Sequence, residues 1–158
     1  LSNNDRQLRE HVLQLLRGGD AHIHLDDLIK DFPLDRINEK IEGVPYTAWQ
    51  VLEHMRIAQW DILEFSRDAD HISPSFPEGY WPSPDTPAGL ESWNQSVESF
   101  RSDLQAMQNL VNDDSLDLMT PLPHGTGQTI LREALLVADH NAYHLGTLVL
   151  MKRLLIRV

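Results

Sequence analysis

The sequence predicts an all-α fold: a four-helix bundle with one long crossover connection between its second and third long helices, in up-down-down-up order. Three observations predict it. Four long segments carry apolar residues at helical spacing. No segment shows the apolar–polar alternation of a half-buried strand. A stretch of about twenty residues with five prolines, "DADHISPSFPEGYWPSPDTPAG", separates the second long segment from the third, and a linker of that length is uncommon in a compact domain unless it travels the length of a helix pair. The 158 residues suit one domain, 1–158, with a real core.

The first helix is expected over Asp5 to Arg17, with Leu8, Val12, Leu15 and Leu16 as its stripe and Gly18-Gly19 as its stop. "HLDDLIKDFP" follows, two amphipathic turns ended by Pro33, with His22 and His24 read as solvated loop residues. The second long helix opens on "YTAWQVLEH". Thr47 and Gln50 have the capping-box pattern, and Tyr46 with Val51 that of a hydrophobic staple. It runs to about Ser66, and His54 shares its apolar face with Val51, Ala58, Ile62 and Phe65. The third helix spans about Leu90 to Val111. The fourth starts near Thr129, a plausible N-cap, and runs to about Leu155, apolar on most sides as a central bundle element would be.

Composition narrows the partners. The formal net charge is −11, with no run of Lys or Arg, so nucleic acid is not expected: phosphate binding needs a basic face. The absence of Cys removes disulfides, thiolate ligands and thiol nucleophiles, and suits the cytosol. No apolar run approaches the ~18 residues of a membrane span. The opening "LSNNDRQ" lacks the basic and apolar regions of a signal peptide. A cytoplasmic protein without a membrane partner is expected.

Within the fourth helix, "VADHNAYHLGTLVLMKRLL" places His140 and His144 four residues apart on one face. With 8 histidines in the chain, chance alone yields roughly 0.4 such pairs, so the pair needs a third ligand. The crossover supplies one. It makes the second and third helices parallel and the second and fourth antiparallel. His54 then lies ~10 Å from one end of the second helix and His144 ~16 Å from the adjoining end of the fourth, levels that agree within about a turn. A plain up-down-up-down bundle fits less well, because it sets these helices parallel and diagonal. Three inward imidazoles would hold one divalent ion, zinc or nickel before others, and would leave coordination positions open for water or substrate. Hydrogen-bonded core histidines are the competing reading.

Asp61, seven residues after His54, and Glu133, seven before His140, return to the ligand faces one level deeper. Either could serve as a base or orient a ligand imidazole; pairing with Arg56, Arg101 or Arg132 is the alternative. Glu53 and Asp139 point away from the site and are expected to be solvated or interfacial. Tyr80 and Trp81, at the end of the crossover, are candidate walls of a substrate pocket. Tyr143 is another, unless it packs in the core or an interface. His71 and His124 fall at the opposite end and are not expected to be ligands.

Three stretches, "PYTAWQVLEHMRIAQWDILEF", "PEGYWP" and "TILREALLVADHNAYHLGTLVLMKR", resemble the DinB-like superfamily of metal-dependent enzymes, which includes YfiT-type hydrolases and low-molecular-weight-thiol transferases. The resemblance spans nearly the whole chain, and its most specific part is the single His plus His-x3-His set. It implies a four-helix bundle with one crossover, a homodimer, and a metal held at His54, His140 and His144. It also implies a hydrolase or small-thiol transferase acting on a small molecule. A non-catalytic metal-binding, stress-response or interaction module is the alternative, and the fold does not fix the reaction.

Overall fold

The computed structural model describes residues 2–83 and 85–156. The described residues are all-helical, without a strand; one isolated bridge pairs Pro121 with Thr129. Five α-helices follow one another: α1 (Asn3–Arg17), α2 (Leu25–Ile29), α3 (Ala48–Arg67), α4 (Leu90–Asn112) and α5 (Ile130–Ile156). Among the described residues no helix is long and apolar enough to cross a membrane.

Local chemistry sets the ends of the helices. The Ser2 side chain accepts from Asp5 N at 3.1 Å, which starts α1 two residues earlier than its apolar stripe suggests. Gly18 (φ 70°) and Gly19 (φ 92°) end it in a backbone region that disfavours a Cβ. At α3 the capping box forms: Gln50 N donates to the Thr47 hydroxyl, and Thr47 N donates to the Gln50 side chain. Thr129 caps α5 by accepting from Arg132 N.

α3 packs along both α4 and α5, and α1 rests on α4 and α5 rather than on α3. Hydrogen bonds give the relative directions. Ser96 donates to Glu53, and Gln59 donates to the Phe100 carbonyl, so residue numbers rise together along α3 and α4. Against α5 they run oppositely: His54 meets His144, and Gln59 meets Asn141. Arg9 on α1 is nearly buried. Its guanidinium donates to the carbonyls of Val111, Asp113 and Leu116, where the end of α4 needs donors.

The core falls into two clusters. One gathers Val51, Leu52, Met55, Trp93, Phe100, Leu148 and Met151 with Leu28 and Phe32. The other gathers Val12, Leu16, Leu63, Met107, Val111, Ala134 and Val137. At the waist between them stands Gln59, 0 % exposed, its amide bonded to both neighbouring helices. The three-histidine site flanks this waist.

Candidate metal centre

The capping box fixes where α3 begins and thereby which of its residues face α5. His54, two turns in, does so. His140 and His144 are one turn apart on α5 and look back at it. The His54 Nε2 atom lies 3.1 Å from His144 Nε2 and 3.1 Å from His140 Nε2. The rings stand edge-on, at 65° between His54 and His140, 80° between His54 and His144, and 63° between His140 and His144. Three ring nitrogens within 4.8 Å of one another could hold a metal ion.

The spacing fits such an ion. Nitrogens ~2.05 Å from a shared ion stand ~2.9 Å apart at right angles and ~3.3 Å apart at the tetrahedral angle, which brackets the observed 3.1 Å. Tautomers fit as well. The Nδ1–H of His54 donates to the Tyr80 carbonyl at 2.8 Å, leaving the Nε2 lone pair turned to the centre. His140 Nδ1 is buried without a partner.

All three rings are held neutral, the form that binds metal. Burial pushes His54 down, partly offset by its bond to Tyr80. Burial, then repulsion from His54, pushes His140 down to about 4. Burial, with repulsion from His140 and His54, does the same to His144, also to about 4.

The crossover segment folds back along α3 and closes one side. Trp81 stacks flat on His54, with ring centroids 3.9 Å apart and planes 2° apart, and Tyr46 stacks on the other face of Trp81 at 3.9 Å. Trp81 is mostly buried, its two faces covered by ring stacking. Tyr80 contributes more than a wall. Its carbonyl orients His54, and its hydroxyl donates to Asp61 at 2.6 Å. Burial and the Asp61 carboxylate push the Tyr80 hydroxyl up to about 12, so it stays a donor. Tyr143 meets His144 edge-to-face at 4.8 Å and is 72 % exposed, a site neighbour and not a core residue.

The two carboxylates expected near the ligands are engaged elsewhere. Among the described residues Asp61 hydrogen-bonds to none of the three histidines and pairs with no arginine: it accepts from Tyr80 and from His71 Nε2 at 2.7 Å. Its link to His54 runs through Tyr80, a consequence of how the crossover folds. Glu133, 2 % exposed, pairs with Arg132 at 2.6 Å. Asp61 and Glu133 do share one surface depression, with Phe65 and Gln128. Glu53 is interfacial, accepting from Arg56 and from Ser96, while Asp139 is exposed. His71 sits on Asp61 and His124 on the Phe65 carbonyl, so neither belongs to the three-histidine group.

Two contributions escaped the sequence reading. Tyr46 is the outer layer of the stack on His54; its position one residue before the Thr47 cap was a signal, read only as a staple. His71 steadies Asp61, and nothing in a proline-rich segment announces that return to α3.

No curated protein and no solved structure matches this chain. The family model of the DinB superfamily matches residues 20–148. That span contains the three histidines, the Tyr80–Trp81 segment and α2 to α4 entire, which is most of the chain, and on this match the chain belongs to the DinB superfamily.

Proposed function

We propose that His54, His140 and His144 bind one divalent metal ion, zinc or nickel, and that the protein is a metal-dependent hydrolase or small-thiol transferase acting on a small molecule. The observation that carries this reading is the convergence of three neutral imidazoles, with His54 Nε2 3.1 Å from the Nε2 atoms of both His140 and His144 and all three ligand nitrogens within 4.8 Å of one another. In the same reading the four long helices form one domain, a bundle in up-down-down-up order, supported by the residue pairings along α3, α4 and α5. The protein acts in the cytoplasm as a homodimer, with neither nucleic acid nor membrane as partner.

A divalent ion at this centre supplies Lewis-acid chemistry, polarising a carbonyl or lowering the pKa of water or a thiol. The chain supplies the rest. Tyr80 holds the His54 tautomer. Trp81 covers one face of that ring and keeps water off it. Tyr143, exposed beside His144, offers a phenol to a substrate approaching from solvent. The chain has no cysteine, so in thiol transfer the sulfur comes from a cosubstrate.

A second reading, a metal-binding module without turnover, draws support from Asp61 and Glu133, since both carboxylates are committed to other partners. Turnover decides between the two. Ester, amide and thiol–electrophile panels should give activity that chelation abolishes and metal restores. Stoichiometric metal with no turnover on any panel selects the module, and absence of bound metal removes both.

A further inference from the structure

The groove between α3 and α5 continues past the metal centre toward the start of α5. Seven residues before His140, ~10 Å along the helix, Asp61, Ile62 and Phe65 of α3 meet Arg132, Glu133 and Leu136 of α5 around a depression of about 200 Å³. That is roughly the space of six or seven waters at ~30 Å³ each. None of the three histidines lines it. Ile62, Phe65 and Leu136 give it an apolar wall, so it is not the cage of oxygens that a hard metal ion asks for.

Its two carboxylates are unequally occupied. Both oxygens of Asp61 accept, one from His71 and one from Tyr80. Glu133 is 2 % exposed, yet only its Oε1 is bonded, by Arg132 Nη1 at 2.6 Å. Adjacent helix residues point ~100° apart, so Arg132 reaches round α5 to make that bond, and its own side chain stays exposed. Glu133 Oε2 has no hydrogen-bond partner among the described residues. It is not among the unpartnered atoms sealed from water either, which are His140 Nδ1 and Asn141 Oδ1. The small surface that Glu133 keeps on the depression therefore includes this oxygen. A carboxylate so far removed from water ordinarily has donors on both oxygens. Arg132, standing on the rim, meets only one of them.

We infer that this depression binds the charged end of a small organic cation, an ammonium or guanidinium, which donates to Glu133 Oε2 while its hydrocarbon part lies on Ile62, Phe65 and Leu136. The charge fits: Asp61 and Glu133 against Arg132 leave the depression negative, on a chain of net charge −11. An anion would have to pass two carboxylates to reach a guanidinium already in use. The bond from Arg132 shows the chemistry, since a cationic donor is what Glu133 accepts from its own chain. Phe65 adds an aromatic wall, which attracts a cation where an aliphatic one would not. The site needs no metal and stands whether or not the three histidines hold one.

n-Butylammonium is the probe, with 1-butanol as its uncharged counterpart of equal length. At pH 7 the amine stays protonated, as a lysine does, and offers a metal no lone pair. Titrated into the full chain and followed by methyl NMR, it should shift Ile62 and Leu136 and saturate with a Kd on the order of 10 mM, the scale of so small a ligand. 1-Butanol should bind about tenfold more weakly, having no charge to offer Glu133. Glu133→Gln keeps the shape and removes the charge, and butylammonium should bind it about tenfold more weakly while metal content is kept. Arg132→Ala frees Oε1 and should tighten binding about threefold, the worth of an exposed pair. Shifts that are absent, that spread over the acidic surface without saturating, or that persist undiminished in Glu133→Gln overturn the site. So does equal binding of 1-butanol, which would leave an apolar hollow only, or weaker binding in Arg132→Ala, which would make the arginine the recognising group. If Glu133→Gln does not fold, the butylammonium–butanol ratio in the natural chain and the Arg132→Ala variant decide.

Discussion

A histidine that is to coordinate must first be neutral, and the three here are kept so by burial, joined at His140 and His144 by repulsion from the neighbouring imidazoles. That neutrality has a cost on acidification. His140 and His144 titrate near 4 in the folded chain, below the ~6.5 of an unfolded histidine, so the unfolded state takes up protons first. The stability they contribute is complete above pH ~6.5 and is lost as pH falls from there toward 4. In chelated protein the Tm should decline through that window, and a His140→Gln, His144→Gln double variant should decline less; parallel curves for the two would contradict the assignment. Each of His54→Ala, His140→Ala and His144→Ala should sharply reduce bound metal measured by elemental analysis, whereas His124→Ala and His71→Ala should keep it. Tyr80 offers a finer probe. Tyr80→Phe removes the bond to Asp61 but not the carbonyl that orients His54. Loosening an outer partner of a ligand costs up to about tenfold in metal affinity, readable by calorimetric titration, and unchanged affinity would show that the Tyr80 backbone needs no anchor.

At the scale of the element, the crossover is the piece that turns helices into a site. Trp81→Ala should impair substrate turnover more than metal content, since Trp81 gives no ligand and covers His54 only by stacking. Normal kcat/KM in that variant would remove its role as a wall. The start of α3 sets the register of His54, and Thr47→Ala should destabilise the protein by about 1 kcal/mol in denaturant unfolding, the usual worth of an N-cap. What the sequence disclosed follows from the range of the interactions. The Thr47–Gln50 box and the Thr129 cap act over three residues and were legible at sight. The His54 to His144 level could be counted from helix ends, because helix rise is constant. The partners of Asp61 could not, since they depend on how residues 68 to 81 fold back, and no periodicity governs a segment rich in proline. The 3-10 turn at Leu34–Arg36 was likewise invisible, set by Pro33 and by Arg36 reaching the Leu155 carbonyl.

At the scale of the molecule, two apolar clusters hold the helices together, and neither contains any of the three histidines. Chelation should therefore leave the far-ultraviolet circular dichroism nearly unchanged at room temperature. A loss of most of the helical signal would mean that the ion is structural, as in domains that fold only around their metal, and would favour the module over the enzyme. The waist between the clusters is where polarity is concentrated: Gln59 and Asn141 inside, the three histidines at the flank. A uniformly apolar waist would bury more surface, but it would have no place for ligands that must be both sheltered and reachable.

The stack of Tyr46, Trp81 and His54 also makes the protein its own optical indicator. An indole lying 3.9 Å from a ligand imidazole shares that ring's electronic fate. A paramagnetic ion such as nickel or copper on His54 should quench the emission of Trp81, while zinc, with a filled d shell, should leave most of it. The chain has 4 tryptophans, so the signal is isolated by subtracting a Trp81→Phe variant. The difference spectrum should follow metal occupancy point by point during titration, without any added dye, and a difference spectrum indifferent to nickel would place the ion away from His54.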